Sequence, residues 1–169
     1  MLKKNINTFN YNIFDELNKK TPILTCGDYE NGFNSMVVSW GGIGVLWGKN
    51  VAYIFVRHSR YTFEYIEKSD SVTLSFLNDN YKEQKKIFGT KSGRDLDKFN
   101  ESGLHATYDV DFNGYYVCES DYVLKMKKLY SVDLPYEQLP KAITDRFYAN
   151  GDMHRMYVCE IVQYLENEE

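Results

Sequence analysis

Two arginines, two hydroxyls and a histidine share one short run, Arg57-His58-Ser59-Arg60-Tyr61-Thr62. It follows a strand pattern over 51–56 and opens a helical one. Guanidiniums, hydroxyls and the free N–H groups of a helix start therefore converge, and each favours a doubly charged phosphate. The competing reading is that Thr62 caps the helix while Arg57 and Arg60 pair with surface carboxylates. A second cationic run, Gly89-Thr90-Lys91-Ser92-Gly93-Arg94-Asp95, sets Lys-Ser among glycines. Its order excludes a P-loop, in which a Gly must stand five residues ahead of a Gly-Lys pair. It is either a helix-capping turn with Asp95 at the next helix start, or a loop that brings Lys91 and Arg94 to the anion of Arg60.

The segment from Asn34 to Gly48 holds both tryptophans, Trp40 and Trp47, and the four glycines Gly41, Gly42, Gly44 and Gly48. Backbone without Cβ atoms can approach a flat ligand, whose face Trp40 or Met36 would cover. The other reading makes the tryptophans core or dimer-interface aromatics and the glycines a bend. In Asn150-Gly151-Asp152-Met153-His154-Arg155-Met156-Tyr157, His154 is either a hydrogen-bonding or proton-poising group or a satisfied surface histidine. His58 and His105 lack metal-ligand spacing, no carboxylate pair suggests acid/base work, and no Gly-x-Ser-x-Gly elbow occurs.

These residues need a scaffold, and strand signals dominate. Runs at 23–27, 35–40, 51–56, 72–77, 115–118, 122–130 and 156–165 are rich in β-branched and aromatic residues. Over 35–40, alternation predicts Met36, Val38 and Trp40 on one face and Ser35, Val37 and Ser39 on the other. Shorter helical patterns lie at 12–20, 62–68, 81–88 and 95–100, with another ending near Phe147. The order does not alternate as a parallel α/β fold would, so a mainly β, antiparallel barrel with peripheral helices is expected.

Composition narrows the function. At 169 residues with 43% hydrophobic and 16% aromatic content, the chain fits one domain, 1–169, with a packed core. A net charge of −4 argues against non-specific nucleic-acid binding. The absence of a long apolar run or a signal-like start leads to an expectation of no membrane span and a cytoplasmic location. Cys26, Cys118 and Cys159 fit neither a disulfide framework nor a zinc site and read as small buried hydrophobes.

In this order, Asn34-Ser35-Met36-Val37, Ser39-Trp40-Gly41 through Trp47-Gly48, the Arg57–Thr62 run, the Gly89–Asp95 run and the Asn150–Tyr157 run resemble the flavin reductase-like family of FMN-binding split barrels, in particular its flavoredoxin-type branch. The resemblance covers about residues 10–165. It implies a Greek-key antiparallel split β-barrel, a homodimer with FMN at the subunit interface, and phosphate contacts from Arg57, Ser59, Arg60, Tyr61 and Thr62 with Lys91 and Ser92. It further implies that Asn34, Ser35, Met36, Val37 and Trp40 border the isoalloxazine, with Ser75 and Phe76 on a neighbouring strand, and that His154 lies near the flavin or nicotinamide. Many relatives have Thr where Val37 stands, and often a cysteine where Met126 stands. The implied activity is hydride transfer from NAD(P)H to FMN. The alternative is an electron carrier between protein partners, for which Asp109 and Asp111, or the tail Glu166-Asn167-Glu168-Glu169, would be an acidic docking patch. A haem-binding reading, with His154 or His58 axial, would leave the cationic run unexplained.

Overall fold

Long β-branched runs leave little choice but sheet, and ten strands form in the computed structural model, which describes residues 1–167. They are β1 (Leu2–Lys4), β2 (Ile23–Asp28), β3 (Gly32–Val37), β4 (Gly41–Leu46), β5 (Lys49–Arg57), β6 (Ser71–Phe76), β7 (Ala106–Asp109), β8 (Gly114–Val117), β9 (Tyr122–Asp133) and β10 (His154–Glu166). The main sheet is antiparallel in the order β3-β2-β6-β9-β10-β5-β4, and β1 pairs with β10 beyond the reach of β5. The hairpin β7-β8 stands apart from this sheet. Five helices lie at the periphery: α1 (Ile13–Asp15), which continues as a π turn (Glu16–Lys20), α2 (Tyr61–Lys68), α3 (Lys82–Thr90), α4 (Lys98–Ser102) and α5 (Lys141–Phe147). The acidic tail's Glu168 and Glu169 lie outside the described residues.

β2 and β6 are buried along their whole length, because the core covers one face and the β7-β8 hairpin helps cover the other. Hydroxyls make that second contact: Thr73 Oγ1 donates to the Tyr115 carbonyl (2.8 Å), and the Val117 N–H donates to Ser75 Oγ (3.1 Å). The core itself gathers Leu24, Ile54, Val56, Leu74, Leu124 and Tyr157 with the thiols of Cys26 and Cys159. Cys118 departs from expectation, since it is exposed just past the end of β8.

Two departures shape the site. The strand expected over 35–40 instead begins at Gly32 and ends at Val37. Beyond it the Val38 N–H donates to the Pro22 carbonyl (3.1 Å), and residues 38–40 bridge the two edge strands of the sheet. Ser35 is buried, its Oγ lying 2.8 Å from Thr25 Oγ1. The glycine-rich stretch, read either as backbone that approaches a flat ligand or as a bend, is strand β4, paired with β5 from Gly41↔Ile54 to Leu46↔Lys49. Trp47 and Gly48, both at positive φ (53° and 70°), make the two-residue turn between them, and such backbone matches the twist of the flanking strands.

Helix starts also move. Asp97, not Asp95, caps α4, its Oδ1 accepting from the Phe99 and Asn100 N–H groups. Thr62 lies inside α2 and caps nothing, and the N-cap position belongs to Arg60. On the surface, Asp133 accepts from Arg155 Nε and Nη2 (2.8 and 2.9 Å) and bonds His58 Nε2 (2.8 Å), while Arg155 Nη1 and Tyr157 OH donate to Glu67. These contacts tie α2, β9 and β10 to the end of β5. The Arg155 guanidinium holds the Asp133 carboxyl down to about 2.

Gly27 and Gly103 both have positive φ (131° and 72°), but a Cβ at Gly27 would stand 2.1 Å from the Gly32 carbonyl oxygen, whereas one at Gly103 meets nothing within 4 Å. Chemical denaturation should therefore show Gly27→Ala losing more than about 3 kcal/mol and Gly103→Ala losing only about 1 kcal/mol. Equal losses would mean that backbone strain, and not the close approach of β2 and β3, sets the requirement.

Candidate functional site

Two adjoining cavities open where β3 ends. The first, of ≈ 220 Å³, lies between residues 36–40 and β5, with Trp40, Phe55, Arg57 and His154 on its walls. The second, of ≈ 260 Å³, is bounded by Asn34, Thr62, the 89–94 loop and Lys98. Met36, Val37 and Arg60 border both. The structure thus brings together the 34–40 segment, the 57–62 run and the 89–94 loop, which lie far apart in sequence.

The cations divide into two groups. Arg57 is committed to the protein: it donates to the carbonyls of Asp152 and Phe147 (3.0 Å for the latter), and its guanidinium lies 5.2 Å from the Tyr148 ring centre. Arg94 is committed as well, to the Ser59 carbonyl (3.1 Å) and Glu64 (2.6 Å), over the ring of Tyr61. Arg60 and Lys91 make no ion pair with any described residue. Ser59 and Ser92 both line the second cavity, but the Ser59 Oγ is engaged, donating to Asp152 (2.7 Å).

Lys98 is the site residue that the sequence reading missed. Its ammonium is buried and donates to the carbonyls of Ser35 (2.9 Å) and Phe88 (3.4 Å), with no carboxylate bonded to it. Desolvation, with a smaller contribution from the Arg60 charge, pulls its pKa down to about 8. Nothing in the pattern Asp97-Lys98-Phe99 at a short helix start distinguishes it from a surface lysine.

Polar contacts set the remaining walls. Asn34 Nδ2 donates to Thr62 Oγ1 (2.7 Å), tying β3 to the first turn of α2. A Cβ at Gly93 would stand 2.2 Å from Asn34 Oδ1, so a side chain there would displace the Asn34 amide. Ser75 and Phe76 are not brought to these cavities: Ser75 Oγ is occupied by Val117, and Phe76 is stacked on Tyr122 in the core, with ring centres 4.4 Å apart. Asp109, expected on an acidic docking patch, instead pairs with the buried Lys125 beneath the β7-β8 hairpin.

His154 sits opposite Arg57 in the β10-β5 ladder, with its ring 4.9 Å from Trp40 and its Nδ1 hydrogen-bonded to Tyr148 OH (2.9 Å). Burial, reinforced by the positive charge of Arg57, pushes its pKa down to about 4. The ring is therefore neutral at physiological pH and offers a hydrogen-bonding nitrogen without a charge.

This shift gives a signed pH dependence. The unfolded chain takes up the proton near pH 6.5 and the folded chain only near 4, so the stability contribution is complete above about 6.5 and fades as pH falls through that window. Urea unfolding should lose up to about 3 kcal/mol from this group between pH 7 and 4. His154→Asn should flatten that limb, and an unchanged acid slope in the variant would assign it to other groups.

A family model described as flavin reductase like domain matches residues 14–169. A search of curated proteins finds no match. Among solved structures, flavoredoxin from Methanosarcina acetivorans is 19% identical, with a TM-score of 0.68 over 88% of this chain and 69% of that one. Flavoredoxin of Desulfovibrio vulgaris (Miyazaki F) is also 19% identical, with a TM-score of 0.68 over 99% and 78% of the two chains. An FMN-binding protein from Thermus thermophilus, solved with bound p-hydroxybenzaldehyde, is 16% identical, with a TM-score of 0.67 over 88% and 72%. At these identities the likeness is one of fold, and it agrees with the antiparallel sheet and peripheral helices found here. With most of its length matched by the family model, the chain belongs to the flavin reductase-like domain family.

Proposed function

We propose that the two cavities hold one FMN and that the protein is an oxidoreductase in which NAD(P)H delivers hydride to that flavin. The observation that carries this reading is the meeting of Arg60 and Lys98, two cations without carboxylate partners among the described residues, in a cleft whose far end is walled by Trp40 and Phe55 and along which Met36 and Val37 border both cavities. A mononucleotide needs fixed cations at its phosphate and a largely apolar wall at its ring, and the residues present supply both. The Gly93–Asn34 contact fits the same ligand, because it narrows the loop onto the phosphate end.

When bound, FMN supplies the two-electron chemistry. The chain's own residues bind, orient and screen. Arg60 and Lys98 neutralise the phosphate dianion, and Lys91 and Ser92 close over it from the 89–94 loop. Arg57 takes a positioning role, since its donors hold residues 147–152 in place and thereby set His154 against Trp40. Trp40 shields the ring end from water. His154, being neutral, would orient a polar group without adding a charge beside the ring end. The sequence has no Gly-x-Gly-x-x-Gly fingerprint, so the nicotinamide would lie over the flavin face.

The second reading is an electron carrier that keeps FMN bound between protein partners. It is favoured by the likeness to two flavoredoxins and by the burial of Lys98, which suits a ligand held for long periods. Under either reading the partner across the flavin is a second copy of this chain. The support is a strip of exposed apolar groups at the β4-β9 side, where Trp47 and Tyr130 are 62% and 48% exposed.

Purified protein should carry flavin absorbance at one FMN per chain in a particle of twice the chain's mass by light scattering. NADH or NADPH should bleach that absorbance under anaerobic conditions. Bound flavin that resists both nicotinamides would select the carrier reading, and a chain that never takes up FMN would sink both.

Arg60→Ala and Lys98→Met should each weaken FMN binding by about 1.5 to 3 kcal/mol, with riboflavin affected far less because it lacks the phosphate. Equal losses for FMN and riboflavin, measured by fluorescence quenching, would remove these cations from the phosphate role.

A further inference from the structure

The two ends of the cleft differ in charge. A third cavity, of ≈ 690 Å³, adjoins the phosphate end at Val37, Gly89 and Thr90, and five lysines against two aspartates line it, so cations gather on that side. Among the described residues, no lysine and no carboxylate lines the ring-end cavity; besides Trp40, its polar side chains are Ser39, Arg57, Arg60 and His154. Arg57 is bound to main-chain carbonyls and Arg60 also borders the phosphate end, which makes His154 the titratable group proper to the ring end. Its side chain is only 8% exposed, and its Nδ1 is bonded to Tyr148 OH (2.9 Å). Its Nε2 has no hydrogen-bond partner among the described residues, yet it is not one of the sealed polar atoms of the interior and so keeps access to the cavity that His154 lines.

Tyr148 decides which ring nitrogen carries the hydrogen. It follows α5, where its N–H donates to the Thr144 carbonyl (2.9 Å) and its carbonyl accepts from the Gly151 N–H (2.9 Å). The side chain is buried, with the Arg57 guanidinium 5.2 Å from its ring centre. Burial raises the pKa of the phenol, so the O–H keeps its proton at physiological pH. Among the described residues that O–H has one acceptor, His154 Nδ1. If Nδ1 carried the hydrogen of the neutral imidazole, it would donate to the phenolic oxygen and leave a buried O–H unpaired, which is unfavourable. Resting on the FMN reading above, we infer that Tyr148 is a positioning residue: it fixes His154 as the tautomer whose Nε2–H donates into the ring end of the cleft, where it takes a carbonyl oxygen. A neutral donor suits an uncharged acceptor, and a carbonyl needs no proton of its own to complete the bond. That oxygen belongs either to the flavin ring or to a molecule lying over it, such as the carboxamide of a nicotinamide.

The tautomer is read first, by nitrogen NMR of the full chain with labelled histidine before FMN is added, and His154→Asn identifies the His154 signals among the three histidines. The expected result is hydrogen on Nε2 in the wild type and a mixture of tautomers in Tyr148→Phe, which keeps the ring beside Arg57 and removes only the O–H. Hydrogen on Nδ1 in the wild type, or the same tautomer in both proteins, overturns the role of Tyr148. The acceptor is read in the FMN-loaded protein from the Raman bands of the flavin carbonyls and from titrations with nicotinamide and with pyridine, which lacks the carbonyl. Flavin carbonyl bands that shift in Tyr148→Phe support the inference with the flavin as source. Unshifted bands, with nicotinamide binding weakened about threefold to tenfold and pyridine binding unchanged, support it with the overlying molecule as source. Bands and titrations that are all indifferent to Tyr148→Phe overturn the carbonyl assignment and leave the FMN reading standing. A chain that takes up no FMN overturns the flavin reading and the ligand named here with it, whereas the tautomer, measured without flavin, is decided independently.

Discussion

An ammonium group held out of water without an anionic partner is the constraint around which this structure is arranged. Removing a charge from solvent is unfavourable unless hydrogen bonds and an opposite charge restore what hydration supplied. Lys98 has only two carbonyl oxygens, and the nearby guanidinium of Arg60 adds repulsion. A dianion delivered between them would relieve both terms at once. The elements nearby serve to keep this pair in place. β3 stops at Val37 so that its carbonyls and the following turn reach the cleft, and Asn34 ties that strand to α2.

The two arginines of the 57–62 run illustrate how one motif divides its labour. Arg57 spends its donors on main-chain oxygens, stiffening the segment that carries His154. Arg60, three residues on, sits at the N-cap position of α2 and borders both cavities, with no ion pair to any described residue. An arginine bound to the main chain beside one without an ion pair gives the cleft rigidity without removing its charge.

Much of this was legible in the residues. The buried strands β2, β5, β6, β9 and β10 declare themselves through continuous β-branched and aromatic runs, and the cationic runs at 57–62 and 89–95 do lie against the same cavity. What escaped depends on partners distant in sequence. β4 is glycine-rich and weak in strand propensity, and it becomes a strand because β5 offers it a ladder across the Trp47-Gly48 turn. Lys98 is marked by the carbonyls of Ser35 and Phe88, 63 and 10 positions away, and the commitment of Arg57 by those of Phe147 and Asp152, 90 and 95 positions away. Ser75 fails in the opposite sense: it stands on a strand near the right layer, yet its hydroxyl is taken up by the β7-β8 hairpin, whose first strand had no pattern of its own.

Val37 borders all three cavities. Its isopropyl group is a party wall between chambers, and the volume it occupies is withheld from each of them. Met36 and Arg60 join only the first two cavities and Gly89 and Thr90 only the last two, so enlarging or trimming the Val37 side chain is the one change that exchanges room among all three.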